Sequence, residues 1–334
     1  MKLFYLALFL VFIMNCSNSK NNISINEKYI NEVFQIVEKH SIKRDSINFD
    51  EIKKNAFAEL KHSDSLKDCY PIVKSILHNL GDNHSFFLTS EQVNEWQSTS
   101  KTNDTNELIT FSGKLLKNNI GYLHLKSFIS GDSIAIQKYA DSLQYKIKSI
   151  DNTNLKGWVL DLRKNSGGNC WPMLAGLGPL LGDGICGYFI GNNKTKSSWF
   201  YNYGKSGINS KTIVQVSRTP HQLFNSSNPI AILTGPETGS SGEIVVTAFH
   251  NKSNTKSFGE PTAGLTTGNA DFELSDGSMI FLATSIYADR QEEVFTNRIQ
   301  PDEKINFSHY IPLDFTDDPV VKAAVNWIIN DSKN

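Results

Sequence analysis

Four short segments bring together residue types that could carry acyl-transfer chemistry. The first is Thr238-Gly239-Ser240-Ser241-Gly242-Glu243, between an apolar run and a helical pattern. A serine at a strand-to-helix turn lies beside the helix N-terminus, whose unpaired N–H groups and positive dipole end suit a developing oxyanion. The same spacing, Ser240-x-x-Glu243, is equally a capping box, and the segment is not a Gly-x-Ser-x-Gly elbow. The second segment is Leu80-Gly81-Asp82-Asn83-His84-Ser85-Phe86. A histidine in such a polar turn can act as a general base or simply pack within the loop. The third is Asp161-Leu162-Arg163-Lys164-Asn165-Ser166-Gly167-Gly168. Its paired glycines let backbone N–H groups approach a ligand, or make an ordinary turn. The fourth, Phe258-Gly259-Glu260-Pro261-Thr262-Ala263-Gly264-Leu265-Thr266-Thr267-Gly268-Asn269, reads by itself only as a loop. His78 and His84 lack the spacing of a helical zinc motif. The four cysteines, Cys16, Cys69, Cys170 and Cys186, form no Cys-x-x-Cys pair. No metal and no cofactor is therefore expected, and pairing of Cys170 with Cys186 stays open.

These segments need elements to hold them. Ser24-Ile25-Asn26-Glu27 opens a helix with a capping box, and Tyr29, Ile30, Val33, Phe34 and Val37 recur at helical spacing. Further helices are expected over 50–60 and from Pro71 to a stop at Gly81. Residues 24–81 thus read as a small helical bundle that ends at the His84 turn. Beyond it the pattern alternates. Strands are expected at 120–125, 157–161, 230–234 and 281–286, and helices at 133–150, 171–181, 240–250 and 318–329. That alternation implies an α/β core. Residues 187–229 interrupt it with aromatic, Asn-rich and Ser-rich sequence that suggests hairpins or a flap. Trp199, Phe200, Tyr201 and Tyr203 there could close over a peptide or pack the hairpins.

The chain has 334 residues, 39% of them hydrophobic, which is ample for a buried core. Lys plus Arg is 33 and Asp plus Glu is 34, so no charge excess exists to drive nucleic-acid binding. Met1-Lys2 leads an apolar run from Leu3 to Met14, and Asn15-Cys16-Ser17 follows. The run is short for a bilayer-spanning helix and fits an export signal. The cysteine at its end resembles a lipoprotein box, with Asn15 standing where a small residue is usual. The expected organisation is an export segment at 1–16, a tether and helical bundle at 17–96, and a core at 97–334 with a cap insertion at 187–229. The protein is expected to be exported and held at the cell envelope through an N-terminal lipid or anchor.

In order and spacing, residues 115–305 resemble the tail-specific, or C-terminal processing, serine peptidase family. The resemblance rests on Ile120-Gly121-Tyr122, the Asp161-Leu162-Arg163…Gly167-Gly168 turn, Thr238 to Glu243, Gly259-Glu260-Pro261-Thr262, Leu274-Ser275-Asp276-Gly277 and Pro301-Asp302. It implies a ClpP/crotonase-like α/β peptidase core acting on a peptide or protein substrate. It implies Ser240, three residues before Glu243, as nucleophile, with an oxyanion hole from the Ser241 N–H and that of Gly167 or Gly168. Many members carry a lysine base just after Gly-Glu-Pro-Thr-x-Gly; here that residue is Leu265, which takes no proton, and Lys252 and Lys256 precede the motif. Other branches pair the serine with an upstream histidine, and Asp82-Asn83-His84-Ser85 matches that pattern, implying a Ser240–His84 dyad. No acid occupies 295–300, and Glu292 and Glu293 are offset. A third catalytic member stays open, and a backbone carbonyl could fix the His84 tautomer. The segment 97–115 has no room for a PDZ domain. An anchored N-terminus, helical bundle and capped core match a branch for which peptides such as lantibiotics are the implied substrates. The opposing expectation is a catalytically inactive member that binds peptides without cleaving them. Leu265 favours that expectation; Ser240, His84 and Gly167-Gly168 oppose it.

Overall fold

The computed structural model describes residues 24–99, 110–307 and 317–331. In chain order its elements begin with α1 (Ile25–His40), α2 (Phe49–Leu60), α3 (Tyr70–His78), β1 (Phe86–Leu88) and α4 (Ser90–Thr99). There follow β2 (Phe111–Leu116), β3 (Ile120–Leu125), α5 (Ser133–Ile150), β4 (Gly157–Asp161) and α6 (Cys170–Leu181). A run of four strands comes next: β5 (Gly184–Gly191), β6 (Lys196–Asn202), β7 (Lys205–Ile208) and β8 (Lys211–Gln215). The chain continues through β9 (Ile230–Thr234), α7 (Ser241–Phe249), β10 (Thr255–Gly259), β11 (Thr267–Glu273) and β12 (Met279–Asp289). It ends with β13 (Val294–Phe295), β14 (Glu303–Lys304) and α8 (Pro319–Asp331). The fold is mixed α/β.

One sheet has the order β14-β10-β9-β4-β3-β2, parallel except for the β2–β3 hairpin. Its central strands β4 and β9 are buried at every residue, as near-continuous apolar runs covered on both faces require. Helix α8 covers one face through Val320, Val321, Ala324 and Ile328. On the other face Trp158, Leu160, Ile230 and Ile232 share a core with α5, α6 and α7. Gly121 is required where β3 meets Trp158, because a Cβ there would lie 2.4 Å from the indole. The segments bearing the Gly167-Gly168 turn and Ser240 leave the C-terminal ends of β4 and β9, the end where open α/β sheets form their crevices.

The second sheet is antiparallel and is organised around the long strand β12. Strand β11 pairs along one side of β12, and β1 and β5 pair along the other, with β6, β7 and β8 extending outward from β5. The segment expected as hairpins or a flap therefore forms sheet strands. Trp199 and Tyr201 are core residues there, wedged against Gly187 and Gly178, where an added Cβ would lie 2.4 and 1.8 Å from their rings. Tyr203 is exposed.

Helices α1, α2 and α3 bury Tyr29, Ile30, Val33, Phe34, Ile72, Val73 and Ile76 in one cluster. That cluster also contains Phe87 of β1 and Leu274, Ile280 and Leu282 of the β11–β12 hairpin, so the helices share their core with the second sheet. The buried Tyr29 hydroxyl meets Ser278 Oγ at 2.7 Å across the junction. Cys69, Cys170 and Cys186 are all free, buried thiols. Among the described residues no helix is long and apolar enough to cross a membrane. The export segment expected at 1–16, the start of the expected tether through residue 23, and residues 100–109 near the start of the expected core lie outside the described residues.

Candidate active site

Ser240 sits between β9 and α7 with φ 52° and ψ −117°, a conformation costly for a residue with a Cβ. Its backbone N–H donates to Glu243 Oε2 at 2.9 Å, half of the expected capping box. Glu243 does more than cap. It is fully buried, and its Oε1 also accepts from the Thr262 hydroxyl at 2.5 Å and from the Gly264 N–H at 2.8 Å. Burial pushes its carboxyl above the ordinary range, and the donors from Thr262, Gly264, Ser240 and Leu265 pull back against that. The Ser240 turn is thereby tied to the 262–265 loop, which by local sequence reads only as a loop.

His84 follows α3 in a turn built by Asp82. Asp82 Oδ1 accepts from the N–H groups of His84 and Ser85 at 2.9 and 2.7 Å, and its Oδ2 accepts from Ser85 Oγ at 2.6 Å. Ser85 Oγ in turn accepts from the Ala283 N–H, which stitches the turn to β12. Asn83 adopts φ 57°, within the range Asn tolerates. The turn delivers His84 Nε2 to 3.0 Å from Ser240 Oγ, across 156 residues of sequence. The other ring nitrogen, Nδ1, lies 2.7 Å from Thr267 Oγ1. Burial pulls the His84 pKa below its ordinary value of 6.5, with Asp82 opposing through its charge. Burial thereby favours the neutral imidazole, the form that can accept a proton.

The paired glycines pack directly on the serine. Gly167 and Gly168 have φ of 118° and 110°, which favours glycine. A Cβ on Gly167 would lie 2.8 Å from Ser240 Cβ, and one on Gly168 would lie 2.1 Å from the Phe128 carbonyl. The Gly167 N–H donates to Asn165 Oδ1 at 3.1 Å, so of the two glycines expected to offer an oxyanion donor, Gly167 is already engaged. The Ser241 hydroxyl donates to the Gly168 carbonyl at 2.6 Å and locks the glycine turn to the start of α7.

Leu265 lies beside Gly239, its Cδ1 3.4 Å from where a Cβ would sit. An aliphatic side chain thus stands next to the nucleophile turn. The residues that sequence reasoning missed are Thr267 and Tyr287. The buried Tyr287 side chain lies beside Ser240, and its backbone N–H donates to the Thr266 carbonyl at 3.0 Å. Neither residue carried a local signal, since each reaches the site only through β11–β12 pairing. Among the described residues, His250, Asp289 and Glu293 are the only group with donors close enough for a cation. They lie at the C-terminal end of α7, away from Ser240, and Asp289 Oδ2 is already taken by His250 Nδ1 and Asn251 Nδ2. Nothing in the Ser240 site calls for a metal.

Comparison with known proteins finds relatives in both sequence and fold. Over 282 residues the chain is 27% identical to the nisin-resistance protein of Lactococcus lactis subsp. lactis, covering 84% of this chain and 83% of that one. Over 215 residues it is 26% identical to the carboxy-terminal processing protease CtpA of Bacillus subtilis (strain 168), covering 64% of this chain and 41% of the relative. Its fold superposes on the solved structure of a lipoprotein from Streptococcus agalactiae with a TM-score of 0.72 and 24% identity, covering 98% of this chain and 100% of that one. The profile of peptidase family S41 matches residues 119–305, more than half of the chain and including the Gly167-Gly168 turn, Ser240 and Glu243. The chain belongs to peptidase family S41.

Proposed function

We propose that this protein is an exported serine peptidase in which Ser240 is the nucleophile and His84 the general base. The observation that carries the reading is the 3.0 Å approach of His84 Nε2 to Ser240 Oγ. With no lysine at position 265, His84 supplies the proton acceptor that Leu265 cannot. Ser240 Oγ attacks the scissile carbonyl as its proton passes to His84 Nε2. The C–N bond then breaks, and His84 returns the proton to the leaving amine. Water, deprotonated by the same nitrogen, hydrolyses the acyl-enzyme and frees Ser240. The Ser241 and Gly168 N–H groups are the oxyanion donors in this scheme, Gly167 being engaged by Asn165. Such donors are worth about 10²–10³ in rate each. The core is proposed as ClpP/crotonase-like, with residues 1–16 exporting the chain and Cys16 or an uncleaved segment anchoring it. The nisin-resistance relative makes a lantibiotic the first peptide to try as substrate.

The test is labelling of the purified protein with a fluorophosphonate probe beside Ser240→Ala and His84→Ala. Labelling of the wild type alone is the expected result. Full labelling of either variant sinks the dyad. Leu265 favours a second reading, a binding-only member of the fold. Absence of labelling in the wild type, even with lantibiotic peptides present, would turn the assignment to that reading.

A further inference from the structure

We propose that Thr267 is the third member of the catalytic set, a positioning residue that fixes the tautomer and plane of His84 where other serine hydrolases use a carboxylate. The inference deepens the peptidase reading and rests on it.

Thr267 Oγ1 lies 2.7 Å from His84 Nδ1. A hydroxyl both donates and accepts, so this contact alone does not say which ring nitrogen carries the hydrogen. Nε2 is turned to Ser240, and in the proposed dyad it accepts the serine's proton; that role puts the ring hydrogen on Nδ1, facing Thr267 Oγ1.

The acids near the ring are committed elsewhere. Both oxygens of Asp82 are held by His84 N–H, Ser85 N–H and Ser85 Oγ. Glu243, on α7, is held by Ser240, Thr262 and Gly264. From β12 the site receives the neutral hydroxyl of Tyr287, and from β11 it receives Thr267 and Asn269.

Strand β11 is built to hold the histidine at two points. Thr267 takes the ring, and two residues on Asn269 Nδ2 donates to the His84 carbonyl at 2.9 Å. Between them the register with β12 shifts at Gly268/Asn269. Such a bulge re-aims neighbouring side chains, and bulges concentrate beside active sites. Gly268 admits the strand there, because a Cβ would lie 2.5 Å from Ser285 Oγ. At its other end the loop from Thr262 to Leu265 is anchored on Glu243. The histidine's support and the nucleophile's support are thus one continuous stretch of chain.

The test is the second-order rate of fluorophosphonate labelling at Ser240, measured against pH for the wild type, Thr267→Val and Thr267→Ser. Valine keeps the shape and removes the acceptor. The plateau rate is expected to fall about tenfold, the effect of losing one hydrogen bond to a charge that develops in the transition state. The acid limb of the profile is expected to move to lower pH, because the imidazolium loses an acceptor for its Nδ1 hydrogen. Thr267→Ser is expected to restore both. A Thr267→Val protein that labels at the wild-type rate with an unmoved limb overturns the inference and leaves the dyad standing. So does a lowered plateau with an unmoved limb that serine fails to restore, which marks a merely structural role. A wild type that does not label overturns the peptidase reading and this inference with it.

Discussion

Glu243 and His84 show how one fold treats a fully buried and a half-buried ionisable group differently. Glu243 is surrounded by donors and anchors backbone; its carboxylate has no path to the proton on Ser240. His84 is turned so that one nitrogen faces the nucleophile, and burial favours its uncharged form. That has a consequence for pH. In the proposed dyad the base must be neutral to work, and burial lowers the His84 pKa below 6.5, so labelling is expected to persist into mildly acidic solution. The acid limb of the labelling rate is expected with its midpoint below pH 6.5; a midpoint at or above 6.5 contradicts the burial argument. Its own turn made Ser240 legible only as an alternative to a helix cap; the family resemblance singled it out as the nucleophile. The two readings coexist in the structure, where Glu243 holds the Ser240 backbone N–H and Ser240 Oγ meets His84.

At the scale of elements, the most legible strands are the most buried. Strands β3, β4 and β9 fall at the expected bounds because each is a largely buried apolar run, and the strand expected at 281–286 lies inside the longer β12. Strands β5 to β8 were legible only as hairpins without bounds, and β10 and β11 were not legible. Strand β11, for instance, has no fully buried residue, and β8 has one. Their stability comes from registered pairing with partners far away in sequence, which local propensity does not encode. The same limit hid Thr267, whose contact with His84 spans 183 residues. The glycine turn was legible as a motif, though its tightness was not. Gly168→Ala must place a methyl group against the Phe128 carbonyl and hold φ near 110°. Labelling of that variant is expected to fall by about 10²-fold or more, the loss of an oxyanion donor. Near-wild-type labelling would remove Gly168 from the proposed oxyanion hole.

At the scale of the molecule, the N-terminal helices and the catalytic sheets are one cooperative body. Tyr29, Phe34 and Ile76 share their cluster with Ile280 and Leu282 of β12. Deleting residues 24–81 exposes that face, and truncated protein is expected to be insoluble or partly unfolded. Intact protein is expected to unfold in a single calorimetric transition. Two separated transitions, with a soluble truncated core, would restore the helices to an independent domain. The same arrangement divides the reactive pair between distant stretches of the chain. The serine's turn belongs to the core, but the base arrives only when α3 and the turn after it have seated on β12. In the proposed dyad, a chain caught half-folded, with that turn unseated, would hold an inert alcohol: Ser240 gains its base only with completion of the tertiary structure, so reactivity and folding would be completed together.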